Sequence, residues 1–392
     1  MKELSPETRL FIREHQNDDV RSLALQAGKY PAVDMPAAIT QIAGRRIAKE
    51  KVPSWSNVGG IRYPHHLSME QCSSELTARY KSELAKGESF VDLTGGFGID
   101  CAFLSRNFRQ ATYVERQEEL CEIAAHNFPL LGLPHISVKN DDGTEFLKRM
   151  ARADCIFIDP ARRNEYGGKI VAIKDCEPDV EELEDLLLEK AGCVMIKLSP
   201  MLDLSQALKE LRHTHEVHIL AVNNECKELL VILRRDASPE VSIHCVNLTP
   251  NGEQRFSFTR EQEQQCGISY AGQTGSYLFE PNASILKAGA FRLLTSAFPV
   301  KKLHPNSHLY TSDSAVSGFP GRSFRITGQC SLNKKKIKSC LGDLRKANIT
   351  VRNFPASVAE LRKRLKLSEG GEDYLFATTL GNEQKVLIRC RK

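Results

Sequence analysis

The sequence predicts an α/β fold built on a mostly parallel, seven-stranded sheet with helices on both faces. Three observations support this fold class. An apolar strand from Phe90 ends in Asp92 and continues through a glycine-rich turn directly into a helix. Six further apolar runs follow it, with helical segments between most of them. Only a short polar segment separates the last two runs, which makes them antiparallel neighbours and reverses the final strand.

The residues before the sheet, 1–66, form a predicted helical region. Ser5-Pro6 is a helix start with proline in the first turn, Asp18-Asp19 is placed to cap a second helix, and a third covers Met35–Glu50. Residues 52–60 contain proline and two glycines and are predicted to be a linker. A further helix, from about residue 67 to residue 84, is expected to lead into the first strand.

The turn after Asp92 is the most informative motif. Its glycines allow a ligand to approach the backbone, and the helix that follows offers unpaired N–H groups. The second strand, Ala111–Val114, is followed by Glu115, a carboxylate placed to accept hydrogen bonds from a ribose diol. A nicotinamide site favours Gly-x-Gly-x-x-Gly, whereas this chain has an acid at the strand end, which suits a cationic amino-acid group better than a pyrophosphate.

This pattern resembles motif I of class I S-adenosylmethionine (SAM) methyltransferases, with Thr94 in place of the first glycine. The resemblance implies a Rossmann-like sheet with SAM as cofactor. It also implies that Asp142, after the third strand, hydrogen-bonds the adenine amino group, although helix capping or a turn explains that residue equally well. The cofactor-binding residues expected on this basis are Asp92, Thr94, Gly95, Gly96, Gly98, Glu115 and Asp142.

The fourth strand, Cys155–Ile158, ends in Asp159-Pro160. This pair resembles the Asp/Asn-Pro-Pro-aromatic motif of enzymes that methylate exocyclic amines. The resemblance implies that the side chain of Asp159 and the carbonyl of Pro160 accept the hydrogens of the amine. The aromatic position holds Arg162, whose guanidinium plane can stack on a base. Arg163 and Lys197 are expected to contact the substrate, and motif I resembles that of small-subunit rRNA guanine-N2 methyltransferases.

Two other activities stay open. Four residues occur in the Lys-Asp-Lys-Glu order of ribose 2′-O-methyltransferases, namely Lys81, Asp159, Lys197 and Glu228. A SAM-binding or RNA-binding protein without catalysis is also open, because Ala161-Arg162 departs from the amine-methylation motif. A covalent 5-methylpyrimidine mechanism is disfavoured, since no cysteine follows the fourth or the fifth strand.

After the predicted methyltransferase domain, residues 67–239, the sequence predicts a small ferredoxin-like α+β domain over 240–320. Residues 321–392 resemble the β-α-β-α-β-β core of THUMP-like RNA-binding domains. Taken whole, the chain resembles a bacterial family of class I methyltransferases with a THUMP-like C-terminal domain. Domains of this type usually precede the methyltransferase domain, whereas here the module follows it.

Charge is unevenly distributed along the chain. Residues 322–392 contain 17 Lys and Arg against 6 Asp and Glu, a net charge of +11, whereas the rest carries −6. A basic module on a slightly acidic body favours a polyanionic partner, which we expect to be rRNA or tRNA. The expected phosphate contacts on its two helices are Lys334, Lys335, Lys336, Lys338, Arg362 and Arg364.

Composition sets the remaining expectations. Hydrophobic residues make up 41% of the chain and charged residues 26%, and no apolar run has membrane-spanning length. The start of the chain has no signal-peptide core. None of the 12 cysteines forms a Cys-x-x-Cys pair, so the sequence predicts no metal site. We therefore expect a cytoplasmic protein with reduced cysteines and no membrane partner.

Overall fold

The computed structural model describes residues 4–162, 172–236 and 240–392. The chain divides into two compact units. The first comprises Met1–His215 and Leu229–Ser238, and the second comprises Glu216–Glu228 and Pro239–Lys392. The predicted Arg163 lies outside the described residues.

The first unit begins with helices whose starts are fixed by capping side chains. Ser5, Asp19 and Asp34 each accept a backbone N–H from the first turn of the helix that follows. The first three helices share a small core of their own around Phe11 and Ile42. These helices are α1 (Pro6–Glu14), α2 (Val20–Leu25), α3 (Met35–Lys51), α4 (Pro53–Ser56), α5 (His66–Gln71) and α6 (Glu75–Ser82).

The prediction of a single helix from residue 67 to residue 84 was wrong. Two helices, α5 and α6, occupy this stretch and are interrupted around Cys72, whose backbone is extended. The interruption arises because Ser74 is also extended and its Oγ accepts the N–H of Thr77 at 3.3 Å, which starts a new helix. The break places Ser73 in the loop between the two helices.

A parallel α/β arrangement follows. Strand β1 lies between β2 and β4, and both pairings are parallel. In register, Asp92 stands beside Tyr113 of β2 and Phe157 of β4, so the carboxyl ends of these strands meet at one edge of the sheet. The elements are β1 (Gly87–Asp92), α7 (Ile99–Leu104), β2 (Phe108–Glu115), α8 (Glu118–Leu130), β3 (Ile136–Asn140), α9 (Gly143–Arg149) and β4 (Ala153–Ile158).

The remaining strands of the predicted sheet are also present. Strand β7 pairs parallel with β4, and β9 runs antiparallel to β7, so the strand reversal expected at the end of the sheet is confirmed. A short antiparallel pair, β5 with β6, lies outside this sheet. The elements are β5 (Ala161–Arg162), β6 (Cys176–Glu177), α10 (Val180–Lys190), β7 (Ala191–Leu198), α11 (Leu204–Glu210), β8 (Thr214–Val222) and β9 (Glu225–Leu233).

Among the described residues this sheet has nine strands, not the predicted seven, in the order β11-β10-β8-β9-β7-β4-β1-β2-β3. The two extra strands are β10 (Ser242–Thr249) and β11 (Gly252–Thr259), which the sequence had suggested belong to the small α+β domain. Strand β10 pairs parallel with β8, and β11 returns antiparallel to β10. The pairing satisfies backbone groups of β8 that an unpaired strand edge would leave exposed.

A second sheet fills the rest of the second unit, with the order β13-β14-β12-β15-β18-β17-β16 among the described strands. The β-α-β-α-β-β order predicted for the tail is confirmed. Strand β15 pairs with both β12 and β18, so residues before and after 321 share one sheet. The elements are α12 (Arg260–Gln265), β12 (Tyr277–Pro281), α13 (Ala283–Ala288), α14 (Leu293–Ala297), β13 (Lys301–Lys302), β14 (Tyr310–Ser312), β15 (Gly321–Ser331), α15 (Lys334–Leu341), β16 (Asn348–Arg352), α16 (Val358–Leu365), β17 (Asp373–Thr379) and β18 (Lys385–Arg391).

Two further observations concern the described ranges as a whole. None of their helices combines the length and the apolar character that crossing a membrane requires. Their cysteines form no disulfide, and most of the thiols are buried.

Candidate active site

The turn between β1 and α7 is shaped by its glycines. Gly98 has φ +87°, a left-handed conformation that glycine adopts without strain. A Cβ at Gly95 would lie 2.2 Å from Cε2 of the Tyr113 ring, so no side chain fits there. The Tyr113 hydroxyl donates a hydrogen bond to the carbonyl oxygen of Gly96 at 2.6 Å. The turn is therefore pressed against β2, with its backbone as the accessible surface.

Asp92 ends β1 with a fully buried carboxyl group. Its Oδ1 accepts the N–H of Thr94 at 3.0 Å. Burial raises the pKa of Asp92 well above its usual value, and the neighbouring carboxylates of Asp100, Asp159 and Glu115 raise it further. A cation beside this group would relieve that repulsion.

Glu115 ends β2 and is nearly buried. Its Oε2 accepts the N–H of Gly96 and its Oε1 accepts the N–H of Gln117, both at 2.9 Å. Asp142 is exposed after β3 and caps α9, since its Oδ1 accepts the N–H groups of Thr144 and Glu145 at 2.9 and 3.1 Å. Both residues therefore flank the carboxyl edge of the sheet. Because Asp142 caps α9, its expected hydrogen bond to the adenine amino group stays a prediction.

Asp159 follows β4 and is tied to the glycine turn. Its backbone N–H donates to Oγ1 of Thr94 at 2.7 Å, a contact that a glycine at position 94 could not make. Its Oδ2 accepts a hydrogen bond from Nζ of Lys197 at 2.5 Å. The side chain of Asp159 is 37% exposed and that of Lys197 is 12% exposed. The carboxylate is thus oriented from one side and open on the other. Pro160 is half-buried next to it, and Arg162 lies on β5.

Asp100 is a central residue that the sequence analysis did not single out. It lies in the first turn of α7, and its carboxylate is 3.0 Å from Nζ of Lys81 and 3.7 Å from Nζ of Lys197. Oγ of Ser73 donates a hydrogen bond to Oδ2 of Asp100 at 2.7 Å. Burial raises the pKa of Asp100, but the two lysine charges outweigh it and hold the pKa below its usual value. An acidic residue in a first helical turn is so common a device that its sequence signal is weak.

These contacts bring three of the four Lys-Asp-Lys-Glu residues into one network. Lys81 and Asp159 are both linked to Asp100, the first directly and the second through Lys197. Lys81 is fully buried and also donates to Oγ of Ser73 at 3.1 Å. The fourth residue, Glu228, is buried on β9.

The charge at this edge of the sheet suits a cationic ligand. Asp92, Glu115 and Asp159 contribute carboxyl groups around the turn, and the sulfonium and ammonium groups of SAM are both cationic. Cys72 lies within electrostatic range of Asp100 and Lys197, but burial raises its pKa to about 11. It is therefore a thiol at neutral pH and a poor nucleophile, which agrees with the disfavoured covalent mechanism.

The basic residues of the tail differ in accessibility. The lysines of α15 are exposed. Arg362 is half-buried, since it donates to the carbonyl oxygen of Ala347 at 3.3 Å and forms an ion pair with Glu369 at 3.5 Å. Arg364 donates to the carbonyl oxygen of Leu332 at 3.3 Å. The exposed lysine set consists of Lys334, Lys335, Lys336 and Lys338.

Comparisons with known proteins agree with this architecture. The family model described as conserved hypothetical protein 95 matches residues 76–220, a ferredoxin-like domain model matches 277–320, and a THUMP domain-like model matches 321–392. The crystal structure of a presumed methyltransferase from Porphyromonas gingivalis W83 is 37% identical. It covers 98% of this chain and 97% of its own, with a TM-score of 0.88.

The fold and the comparisons identify a class I, SAM-dependent methyltransferase. The chain belongs to the family of the Porphyromonas gingivalis protein, methyltransferases with a C-terminal THUMP-like domain.

More distant similarities concern the fold of a smaller part of the chain. A presumed methyltransferase from Streptococcus mutans, solved with S-adenosylhomocysteine (SAH), is 17% identical over 41% of this chain and 96% of its own, with a TM-score of 0.31. A presumed rRNA methylase from Clostridium thermocellum is 15% identical over 41% of this chain and 95% of its own, with the same TM-score of 0.31. Neither similarity is strong enough to carry an argument about substrate. No curated protein gave a significant match.

Proposed function

We propose that the protein methylates a nitrogen of an RNA base, an exocyclic amine such as guanine N2, in rRNA or tRNA. The observation that supports this most directly is the carboxylate of Asp159. It lies at the carboxyl end of β4, partly exposed, and Lys197 holds it at 2.5 Å. An acceptor that is fixed and open to solvent is what orienting an amine requires.

Cofactor binding is proposed for the residues of the adjoining turn. The backbone of the turn at Gly95, Gly96 and Gly98 lies against the ligand, and Asp92 balances the positive charge of the amino-acid moiety. Glu115 accepts the ribose hydroxyls, and Asp142 accepts the adenine amino group. The burial of Asp92 among carboxylates supports its part in this assignment, because that environment favours a cation.

The chain's own residues then orient the nucleophile. SAM supplies the methyl group, which moves in line from sulfur to nitrogen. The carboxylate of Asp159 and the carbonyl oxygen of Pro160 accept the two N–H groups of the amine and aim its lone pair at the methyl carbon. Asp159 is also placed to take up the proton that the nitrogen loses. Arg162 and Arg163 are proposed to contact the base.

Ribose 2′-O-methylation is the second candidate, because Lys81, Lys197 and Asp159 belong to one network. Two observations favour the first candidate. Lys81 is fully buried against Asp100, out of reach of a ribose. Lys197 is ion-paired with Asp159 at 2.5 Å and lies 3.7 Å from Asp100, so its ammonium group is engaged in positioning the carboxylate of Asp159.

The RNA partner is proposed from the exposed lysines of α15 and the net charge of the tail. Asp159 lies in the first unit and the exposed lysines of α15 lie in the second, so the proposal assigns methyl transfer and RNA recruitment to different parts of the chain. A cytoplasmic location follows for an enzyme that modifies cellular RNA.

The test is mass spectrometry of RNA nucleosides from a deletion strain complemented with the wild-type gene, Asp159→Ala or Lys197→Ala. We expect one N-methylated nucleoside to disappear on deletion, to return with the wild-type gene and to stay absent with Asp159→Ala. Purified Asp159→Ala should still bind SAM, which separates lost turnover from lost cofactor. Loss of a 2′-O-methyl nucleoside instead would favour the second candidate, and SAM binding without any lost nucleoside would favour a non-catalytic binder.

A further inference from the structure

A cluster of two histidines and a glutamate lies on the β8–β10–β11 part of the large sheet, within the second unit. The cluster consists of Glu216, His218 and His244. Glu216 and His218 are two positions apart on β8 and therefore project from the same face of the sheet. His244 on β10 is the register partner of His218 in the parallel pairing. The backbone therefore places all three side chains side by side.

The ligand atoms of the cluster all lie within 4.8 Å of one another. Oε2 of Glu216 is 3.5 Å from Nε2 of His218 and 3.3 Å from Nε2 of His244. In a tetrahedral zinc site, bonds of about 2.1 Å to nitrogen and oxygen place neighbouring ligand atoms about 3.4 Å apart. The two separations from Oε2 of Glu216 match two edges of such a tetrahedron.

The chemistry of the three groups fits the same ion. The two imidazole rings stack, with centroids 4.6 Å apart, so two protonated rings would repel each other. His218 is 4% exposed, so its ring is held in place by packing beside the other two groups. Glu216 adds a carboxylate oxygen to the two imidazoles, and two histidines with one carboxylate are a donor set that zinc accepts.

Neighbouring residues supply the orientation that metal-bound histidines need. Ser257 on β11 is the register partner of His244, and its Oγ is 2.8 Å from Nδ1 of His244. With a metal ion bound, Nδ1 would donate this hydrogen bond to Oγ of Ser257 and leave the lone pair of Nε2 for the ion. Arg255 lies two residues away on the same strand face, and its guanidinium is ion-paired with Glu253 at 2.5 Å, which offsets its charge.

We propose that Glu216, His218 and His244 form a binding site for a divalent borderline metal ion, with Zn²⁺ as the ion the donor set fits best. Three protein ligands leave a fourth position for water. Access is open, because the side chains of Glu216 and His244 are 23% and 22% exposed, whereas that of His218 is 4% exposed. The sequence analysis predicted no metal because it looked for paired cysteines, and these ligands come from two strands.

The full-length protein, stripped with a chelator, tests the proposal by titration with Co²⁺ and with Zn²⁺. We expect one equivalent of Co²⁺ to give the visible absorption of a tetrahedral ion, without the near-ultraviolet bands of thiolate ligation. Calorimetry with Zn²⁺ should give the same stoichiometry. Glu216→Gln and His244→Ala, both at partly exposed positions, should each weaken Zn²⁺ binding at least tenfold, and Ser257→Ala should weaken it by about 10- to 100-fold.

The matched control is His65→Ala, since His65 faces Glu119 at 3.7 Å on an exposed surface with no third ligand among the described residues. It should bind Zn²⁺ as the wild type does. Thermal unfolding of each variant without metal shows that the fold is kept. Absence of Co²⁺ absorption in the wild type, or equal Zn²⁺ affinity in Glu216→Gln, His244→Ala and the wild type, would overturn the site.

Discussion

At the scale of single residues, Asp92 combines a structural cost with a proposed role in binding. Burial raises its pKa, so the folded protein keeps a proton that an unfolded aspartate, with a pKa of about 3.9, releases. The stability contributed by this proton is present below that pH and is lost as the pH rises through the raised pKa of the folded state. The acid therefore destabilises the ligand-free protein at neutral pH.

We predict that Asp92→Asn raises the melting temperature of the ligand-free protein, and by more at pH 8 than at pH 5. Asparagine keeps an oxygen for the N–H of Thr94 but carries no proton to lose. Thermal unfolding followed by circular dichroism at the two pH values measures the effect. An equal gain at both values would contradict the account. The control is Asp343→Asn, at an exposed position, which should leave the melting temperature unchanged at both pH values.

The same substitution should weaken SAM binding about tenfold or more, because a hydrogen bond to a charged group contributes about 1.5–3 kcal/mol. Isothermal titration at pH 8 measures the dissociation constant. If the Asp92→Asn variant is more stable than the wild type and binds SAM with the same dissociation constant, Asp92 has no part in the cofactor site. Glu115→Ala should weaken SAM binding to a similar degree through the lost ribose contact.

The two lysines of the network should have different roles, Lys81 in stability and Lys197 in turnover. Lys81 is fully buried beside Asp100, so Lys81→Met should lower the free energy of unfolding by about 3–5 kcal/mol, the usual effect of removing one partner of a buried ion pair. Lys197→Ala should lower turnover while SAM affinity changes little, since Lys197 orients Asp159. Urea unfolding measures the free energy of unfolding of each variant, and single-turnover methyl transfer measures its rate of turnover. Equal loss of stability in both variants would contradict this separation.

At the scale of elements, the first seven strands of the sheet could be predicted because each is a distinct apolar run, but the place of β10 and β11 beside them could not. Strands β10 and β11 were expected in another domain, since an alternating pattern predicts a strand without specifying its partner. The glycine turn and the acids at the ends of β1, β2 and β4 followed from sequence order. Asp100 did not, because its importance comes from lysines distant in sequence that only folding brings to it.

The glycine turn itself can be tested as an element. Gly95→Ala would place its Cβ 2.2 Å from the Tyr113 ring, so the turn must shift away from β2. We expect a loss of about 1–3 kcal/mol in stability and a clear loss of SAM affinity. Gly192→Ala on β7 is the control, because its Cβ would lie 3.8 Å from the nearest carbonyl oxygen, in ordinary contact. Unchanged SAM binding in Gly95→Ala would contradict the placement of the cofactor at this turn.

At the scale of the whole molecule, the contrast between a basic tail and an acidic remainder bears on RNA recruitment. Deleting residues after 321 would be a poor test, since β15 pairs with β12 and the deletion would remove the central part of the second sheet. Charge substitutions on the surface avoid this difficulty. The exposed lysines of α15 suit them, because these side chains lie at the start of a helix and not in a core.

We predict that replacing Lys334, Lys335, Lys336 and Lys338 by glutamine weakens RNA binding and makes it less sensitive to salt. About two of the four can face one partner at once on a helix. Losing two phosphate contacts should therefore reduce the log–log salt slope by about 1.4 for single-stranded RNA. The matched control removes the same charge from exposed lysines of the first unit, Lys86, Lys139, Lys148 and Lys209. Binding measured by fluorescence anisotropy across a salt series should change far less in the control, with SAM affinity unchanged in both. Equal effects in the two variants would indicate general electrostatic attraction, and no effect in either would leave the basic tail a solvated surface.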